Sequence, residues 1–343
     1  MKRLLNTLFV TTQGSYLSRD GETVLVQVEG QTRLQLPIHT LSGVVCFGRV
    51  MCTPQLLQLC AQRNVTVSFL SEQGRFWARV QGPVSGNVLL RSEQYRRADD
   101  EQTAAEVARA VVVAKVANSR TVLLRAIRDH SGSVDTVRLE DAARNLARIG
   151  EGLSWPAGLD KIRGYEGEAA KSYFDVFDHL IVAQKDDFFF QRRSRRPPLD
   201  NMNSLLSFLY TLLTHDVVSC LESVGLDPGV GYLHRDRPGR PGLALDLMEE
   251  FRPFLADRLA LSLVNRQQVK AKGFKTTETG AVIMDDETRK TLLVAYQKRK
   301  QEEIRHPFLD EKMAVGLLPY AQALLFARYL RGEIEGYPPF LWK

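Results

Sequence analysis

The spacing of apolar residues changes once along this 343-residue chain, close to residue 100. Before that point, short runs such as 24–28 and 65–70 are alternating or β-branched and are bounded by Gly, Asp or Pro, which is typical of strands. From Glu101 onward, long stretches repeat apolar residues with the 3.6-residue period of amphipathic helices. The sequence therefore predicts an α+β protein, with a small N-terminal β-sheet domain over residues 1–95 and a larger all-α domain over residues 96–343.

Individual elements can be placed within this pattern. A helix is expected to follow Thr53, because this residue suits an N-cap and Pro54 suits the first helical position. Strands over 65–70 and 76–80 flank the Glu-Gln-Gly segment 72–74, which favours a hairpin. Further helices are expected near residues 101–129, 136–150, 165–182, 204–223, 244–265, 286–303 and 312–331.

The composition favours a cytoplasmic protein that does not span a membrane. Hydrophobic residues make up 44% of the chain and charged residues 25%, which is ordinary for a globular protein. We expect no apolar run of the roughly 20 residues that a bilayer requires, and the N-terminus lacks the pattern of a signal peptide. The four cysteines include no C-x-x-C pair, so free thiols are expected.

The strongest chemical pattern is a histidine followed by carboxylates. His234 ends the segment Gly-Tyr-Leu-His, and after a basic loop Asp246 and Glu249 follow in a segment with helical character. Residues three apart lie on one face of a helix, so these two acids can converge with the histidine. One nitrogen with two or three carboxylate oxygens suits Mg²⁺ or Mn²⁺ better than structural zinc. Glu166 is a plausible third acid from elsewhere in the chain.

Each of these residues also has a simpler explanation. Acidic residues are common at helix N-termini because they interact favourably with the helix dipole, and this explains Asp246 and Glu249 about as well as a metal site does. Glu166 by itself is better explained as a helix-start carboxylate. A lone histidine such as His234 is most often a surface or hydrogen-bonded residue. Spacing alone leaves these alternatives open.

Basic residues are grouped in loops. Such loops are usually only solvated, but arginine-rich loops also bind phosphates through paired hydrogen bonds, and the net charge of +6 favours an anionic partner. We therefore predict contacts with a nucleic-acid backbone, without a base-reading code. The candidate residues are Arg192, Arg193, Arg195, Arg196, Arg235, Arg237 and Arg240.

In their order and spacing, several segments together resemble the Cas1 family of CRISPR-associated integrase-endonucleases of spacer acquisition, in particular its type I-C branch. The resemblance runs over nearly the whole chain. The segments that carry it are Gly86-Asn87-Val88-Leu89-Leu90-Arg91-Ser92-Glu93-Gln94-Tyr95, Gly164-Tyr165-Glu166-Gly167 with Tyr173-Phe174, Arg195-Arg196-Pro197-Pro198 with Asn203-Ser204-Leu205-Leu206-Ser207, Gly231-Tyr232-Leu233-His234, and Asp246-Leu247-Met248-Glu249-Glu250-Phe251-Arg252-Pro253.

The resemblance implies the roles of the candidate site residues. It gives an N-terminal β domain that dimerises and an α-helical catalytic domain with the metal ligands Glu166, His234 and Glu249. Asp246 is implied to lie at the site and to support or share the metal. Many relatives carry aspartate where this chain has Glu249, so whether Asp246 or Glu249 is the direct ligand stays open. Glu250 is discounted, because it points about 100° around the helix from its neighbour.

The resemblance also implies an activity. Such proteins bind Mg²⁺ or Mn²⁺, cut DNA and, with the small protein Cas2, insert captured fragments into the CRISPR array. The 3′-hydroxyl of each fragment attacks a phosphodiester at the end of a repeat. The expected partners are a second copy of the chain, Cas2, and DNA in the form of duplexes, single-stranded ends and branched intermediates. Two alternatives remain, a stand-alone metal nuclease acting on branched DNA and a DNA-binding scaffold without catalytic activity.

Overall fold

The N-terminal region is built on strands. In the computed structural model, which describes residues 6–63, 65–72, 76–80, 82 and 88–342, these strands form two four-stranded sheets. The strands are β1 (Asn6–Val10), β2 (Tyr16–Asp20), β3 (Thr23–Val28), β4 (Gln31–Pro37), β5 (Leu41–Phe47), β6 (Met51–Cys52), β7 (Thr66–Leu70) and β8 (Phe76–Val80). The first sheet has the order β1-β5-β7-β8 and the second the order β4-β3-β2-β6.

The elements predicted between these strands are present. Helix α1 (Pro54–Gln62) begins where expected, and the hydroxyl of Thr53 accepts a hydrogen bond from the backbone N–H of Leu56 at 3.2 Å. Strands β7 and β8 pair antiparallel, as a hairpin requires. Gln73 and Gly74 of the predicted turn lie outside the described residues. The pairing is therefore confirmed, and the conformation of the turn stays a prediction.

A compact hydrophobic core lies beneath these sheets. It is formed by fully buried side chains such as Leu17, Val24 and Val44 together with Leu56 from α1. The four cysteines are free thiols, as expected, and Cys46 and Cys60 among them are buried. This core gives the N-terminal strands an apolar interior of their own.

The second region is mostly helical, which confirms the predicted α+β class. Its helices are α2 (Val88–Asp99), α3 (Glu101–His130), α4 (Thr136–Gly152), α5 (Leu159–Phe174), α6 (Asn201–Val224), α7 (Gly242–Met248), α8 (Arg258–Asn265), α9 (Asp286–Gln301) and α10 (Leu318–Leu330). The predicted domain boundary at residue 95 lies inside α2. The division into two domains itself stays a prediction.

The sequence predicted an all-α region from residue 96 onward, and this part of the prediction is wrong. The described residues include two small antiparallel sheets there, one of β9 (Phe274–Thr276) with β10 (Val282–Met284), the other of β11 (Glu303–Arg305) with β12 (Lys312–Ala314). The predicted helix over 312–331 therefore begins later. Backbone pairing between strands satisfies hydrogen bonds that a longer helix would have made internally.

Two other predicted helices have different limits. The helix expected over 165–182 begins at Leu159 and ends at Phe174. The helix expected over 244–265 is divided into α7 and α8 by a π-helical turn, Arg252–Asp257. Pro253 lies at the start of this turn, and proline removes a backbone donor and displaces the carbonyl four residues before it. Glu249 therefore stands at the end of a short helix instead of inside a long one.

Helix α6 is an exception to the expectation that no segment is apolar enough to cross a membrane. Its length and its mean hydropathy of 1.4 over 18 residues meet that requirement, and 56% of this window is buried inside the protein. Leu205, Leu209 and Leu213 are completely buried, and α6 packs against α7, α10 and the π turn. These contacts are typical of a central core helix.

Candidate metal centre

Side chains from three helices meet at one buried point. Lys115 comes from α3, Glu166 from the middle of α5, and Glu249 from the C-cap of α7. The Lys115 ammonium contacts the carboxylate of Glu166 and lies 2.8 Å from Oε2 of Glu249. Glu249 is 1% exposed and Lys115 is 7% exposed. The structure thus brings together two of the predicted ligands around a cation supplied by the protein.

His234 is held beside this point by Asp246. Oδ1 of Asp246 lies 2.6 Å from the ring nitrogen Nδ1 of His234 and also accepts the backbone N–H of that residue at 3.0 Å. Because an ionised carboxylate only accepts hydrogen bonds, a neutral His234 carries its proton on Nδ1. The lone pair is then on Nε2, which is the nitrogen suited to binding a metal.

Both oxygens of Asp246 are committed to the protein. Oδ2 accepts the backbone N–H groups of Tyr232 at 2.6 Å and Leu233 at 3.0 Å, and the residue is completely buried. Asp246 therefore orients the histidine loop. Neither Asp246 nor Glu249 lies in the first turn of α7, so the explanation as helix N-terminal acids does not fit their positions.

Two glycines allow the histidine loop to reach Asp246. A Cβ atom at Gly231 would lie 2.8 Å from the carbonyl oxygen of His234, and one at Gly242 would lie 2.7 Å from the carbonyl oxygen of Gly229. Both distances are too short for any side chain. The loop backbone therefore packs directly on the start of α7, which presents three successive N–H groups to one carboxylate.

Neighbouring cations keep Glu249 ionised. Burial alone would raise the pKa of this carboxyl, but the positive charges of Arg252 and Lys115 outweigh burial and lower the pKa to about 2. Arg252 lies 2.5 Å from Oε1, so the two carboxylate oxygens face two different cations. Glu249 therefore carries a negative charge throughout the neutral pH range.

Glu250 lies just after the C-cap of α7 and fixes the C-terminal tail. Its carboxylate accepts hydrogen bonds from the hydroxyl of Tyr337 at 2.6 Å, the backbone of Phe340 at 2.7 Å and Nε2 of Gln322 at 3.0 Å. Burial raises its pKa to about 7, although these hydrogen bonds act in the opposite direction. The two adjacent glutamates thus belong to different environments.

The predicted phosphate-binding arginines divide into two groups. Five of them are exposed, whereas Arg193 and Arg240 are partly exposed. The guanidinium of Arg193 donates to Oδ1 of Asn203 at 2.7 Å and to the hydroxyl of Ser207 at 3.1 Å, and it stacks over the ring of Tyr210. These contacts use Nη1 and Nη2 of Arg193, and a role of Arg193 in DNA binding stays a prediction. The exposed residues are Arg192, Arg195, Arg196, Arg235 and Arg237.

Two basic residues of the site, Lys115 and Arg252, were not predicted from the sequence. Lys115 stands in the apolar stretch Val-Val-Val-Ala-Lys-Val-Ala of α3, where its neighbours Ala114 and Val116 are buried. A charged residue on the buried face of a helix requires a partner of opposite charge, and this was the available signal. Arg252 follows Glu249 by three residues, which is the spacing of an ion pair on a helix.

The donor set fits a hard divalent cation. Two carboxylates and an imidazole nitrogen suit Mg²⁺ or Mn²⁺, and both carboxylates already surround a positive charge. Across the part of the chain that the structure describes, no three His, Cys, Asp or Glu side chains stand close enough to share an ion. At this site, Lys115 lies between the two carboxylates.

An α+β fold with two carboxylates, one of them buried, beside an oriented imidazole defines a protein with a candidate functional centre. The comparisons identify the family. The model of the family "CRISPR associated protein Cas1" matches residues 8–298. The chain therefore belongs to the Cas1 family.

Two curated relatives match the entire chain. A CRISPR-associated endonuclease Cas1 of Chlorobaculum tepidum is 57% identical over 343 residues, with all of both chains covered. A second one, from Rhodospirillum rubrum, is 51% identical over 347 residues, again with complete coverage of both. These relatives carry the name endonuclease, so the chain lies within a family of CRISPR-associated nucleases.

Solved structures share the fold. A Cas1 protein from Thermotoga maritima superposes with a TM-score of 0.81 at 23% identity, covering 95% of this chain and 97% of that one. A casposase bound to an integration product gives 0.82 at 21% identity, covering 98% and 94%. The chain of a Cas6-RT-Cas1–Cas2 complex gives 0.82 at 22% identity, covering 98% of this chain and 36% of that one. At these identities the likeness concerns the fold.

Proposed function

We propose that this Cas1 protein is a metal-dependent DNA endonuclease and integrase of CRISPR adaptation, of the type I-C branch. It would insert captured DNA fragments into the CRISPR array by attack of a fragment's 3′-hydroxyl on a phosphodiester at the end of a repeat. The observation that carries the proposal is the convergence of Glu166 and Glu249 on one buried cation beside His234.

Glu166, His234 and Glu249 would hold Mg²⁺ or Mn²⁺. Such an ion supplies positive charge that neutralises and polarises the scissile phosphate. The protein supplies the arrangement of the ligands. Asp246 fixes the tautomer and direction of His234, and Arg252 keeps Glu249 ionised at the end of α7. Asp246 is therefore proposed as a positioning residue and Glu249 as the direct ligand.

The exposed arginines would contact the DNA backbone. Arg235 follows His234 directly, and its guanidinium lies 3.1 Å from the exposed carboxylate of Asp160. Arg163 donates to the carbonyl oxygen of Leu233 at 2.8 Å and so ties the same loop to α5. Since Lys and Arg bind phosphates without reading bases, these residues would supply affinity and orientation. DNA binding is also supported by the fold shared with a casposase bound to an integration product.

The N-terminal sheets would pair with a second copy of the chain. Several large apolar side chains are exposed there, including Met51 at 67% and Trp77 at 58%, and Phe76 and Tyr16 at 46% each. Apolar side chains grouped on a surface often mark an interaction site. Cas2 is the further proposed partner, supported by the fold shared with a Cas1–Cas2 complex. The protein would act in the cytoplasm.

The proposal is tested with purified protein, Cas2 and a DNA fragment offered to a target that contains a repeat. Glu166→Gln and His234→Ala are expected to abolish cleavage and joining in Mg²⁺ or Mn²⁺ while the protein stays folded. Glu168→Gln is the matched control, because Glu168 is an exposed acid on the same helix, paired with Arg148. Undiminished metal-dependent joining by Glu166→Gln or His234→Ala would contradict the assignment.

The same assay separates the alternatives. Cleavage of branched DNA that is equally fast with and without Cas2, with no joining, would favour a stand-alone nuclease. DNA binding that needs no metal, with no cleavage in Mg²⁺ or Mn²⁺, would favour a scaffold. Joining that requires Cas2, a divalent ion and Glu166 together supports the integrase.

A further inference from the structure

Lys115 is a buried cation that joins two separate elements. It lies in the middle of α3, and its ammonium contacts Glu166 of α5 and Oε2 of Glu249 at the end of α7. Its side chain is 9% exposed, and that of Glu249 is 2% exposed. A single positive charge therefore holds together carboxylates that lie far apart in the sequence.

The positive charge of Lys115 offsets the repulsion between the carboxylates of Glu166 and Glu249. Two carboxylates at one site repel each other unless a cation lies between them, and the repulsion is weakly screened here because Glu249 is buried, although Glu166 is partly exposed. Arg252 occupies the other side of Glu249, at 2.5 Å from Oε1. Lys115 is thus the cation that Glu249 shares with Glu166.

A divalent ion held by Glu166 and Glu249 would compete with Lys115 for their carboxylates. We propose that Lys115 is a resident counter-ion, which keeps Glu166 and Glu249 together in the metal-free protein and withdraws from them when the ion binds. It is a positioning residue that sets the affinity of the site for metal. The inference rests on the proposed function, because it takes both glutamates as ligands. The flexible four-carbon stem of lysine allows the ammonium to move while α3 stays in place.

Removal of the Lys115 charge should destabilise the metal-free protein and stabilise the metal-bound one. Lys115→Met is expected to lower the melting temperature in EDTA, because the buried carboxylate of Glu249 and the partly exposed carboxylate of Glu166 lose their shared counter-ion. It is expected to tighten Mn²⁺ binding by about tenfold or more, equivalent to about 1.4 kcal/mol, because the ion no longer displaces an ammonium. Mn²⁺ binding is measured by the loss of the free-ion electron paramagnetic resonance signal. If Lys115 only stabilised the fold, the affinity for Mn²⁺ would be unchanged in Lys115→Met.

Two further variants serve as controls. Lys171→Met removes an exposed lysine of α5 that is paired with Asp175, and it should change neither the melting temperature in EDTA nor Mn²⁺ binding. Lys115→Arg keeps the positive charge. In EDTA it should therefore lose less melting temperature, relative to the unchanged protein, than Lys115→Met loses.

A second measurement uses the unchanged protein. Acetylation of lysine amines by acetic anhydride, followed by mass spectrometry, should modify Lys115 faster after Mn²⁺ is added, with Lys171 as the internal reference. This measurement decides the question if Lys115→Met does not fold with or without Mn²⁺. Folding of that variant only with Mn²⁺ would support the counter-ion role.

The outcomes separate this inference from the proposed function. If Glu166→Gln binds Mn²⁺ as well as the unchanged protein does, the proposed metal site is wrong. If binding requires Glu166, but Lys115→Met binds Mn²⁺ no more tightly, or Mn²⁺ leaves the acetylation rate of Lys115 unchanged, only the counter-ion role is overturned.

Discussion

Asp246 holds His234 by two contacts at once, accepting its backbone N–H at 3.0 Å and lying 2.6 Å from its ring nitrogen Nδ1. The same carboxylate accepts the backbone N–H groups of the two preceding residues. A single buried acid therefore fixes both the loop and the imidazole that it carries. Loss of a residue that orients a metal-binding histidine in this way typically costs about 10- to 100-fold in metal affinity.

Asp246→Asn should weaken the site without removing a proposed ligand. An asparagine keeps the shape but offers one acceptor oxygen where the aspartate offers two, so the ring of His234 loses its fixed orientation. We expect a loss of about 10- to 100-fold in Mn²⁺ affinity and in strand cleavage. Asp175→Asn, at an exposed aspartate after α5, is the control. Wild-type affinity and cleavage in Asp246→Asn would show that the orientation of His234 is set by other contacts.

The adjacent residues Glu249 and Glu250 should respond differently to the same substitution. Glu249→Gln is expected to abolish metal-dependent cleavage, because it removes a proposed ligand. Glu250→Gln is expected to lower the free energy of unfolding by about 1–3 kcal/mol, because the amide cannot accept from all three donors of the C-terminal tail. Denaturant titration and a cleavage assay on both variants test this. Loss of catalysis in a Glu250→Gln protein that remains folded would contradict the separation.

Substitutions of the arginines in the loop before α6 should also have two different effects, one on DNA binding and one on stability. Arg195→Gln and Arg196→Gln remove exposed charges, so each should reduce the slope of log affinity for DNA against log salt by about one and leave stability unchanged. Arg193→Gln should instead lower the free energy of unfolding by about 1–3 kcal/mol, because Asn203 and Ser207 lose their donor. Fluorescence anisotropy over a salt series and thermal unfolding measure the two effects. A salt slope reduced by Arg193→Gln, with unchanged stability, would place Arg193 on the DNA.

His215 should make the protein less stable in mild acid. Burial lowers its pKa to about 4, opposed by Asp216 and assisted by Arg79, and its ring packs on that of Phe76. Because the folded-state pKa lies below the unfolded value near 6.5, the unfolded chain binds the proton first. The stability due to this group is complete above about pH 6.5 and is lost as the pH falls toward 4.

The size of this effect follows from the two pKa values. Between pH 7.5 and pH 5 the contribution of His215 to the free energy of unfolding should fall by about 2 kcal/mol. Denaturant titrations at both pH values, on the unchanged protein and on His215→Gln, isolate it. His130→Gln, at an exposed histidine that ends α3, is the control. An equal loss of stability in His215→Gln would assign the acid sensitivity to other groups.

Local patterns in the sequence predicted much of the fold. The change of periodicity near residue 100 separated strands from helices, and Thr53 with Pro54 marked the start of α1. These features depend on neighbouring residues, so they can be seen without the tertiary structure. The pattern did not show that Pro253 lies in a π turn, because periodicity continues across an interruption of one turn.

The candidate site was only partly visible for the same reason. The sequence motifs grouped Glu166, His234, Asp246 and Glu249 in one hypothesis. They did not show which of Asp246 and Glu249 is the direct ligand and which orients the histidine. That division depends on which carboxylate faces the three N–H groups of the histidine loop and which faces Lys115 and Arg252.

The sequence by itself determined which residue types are available and which lie on the same helical face. Only the tertiary structure decided that Asp246 binds the backbone, that Arg193 donates to Asn203, and that Lys115 lies between Glu166 and Glu249. The physical reason is that these contacts join elements distant in the chain. Their distances are set by the packing of α5 and α7 against α3, which no local spacing encodes.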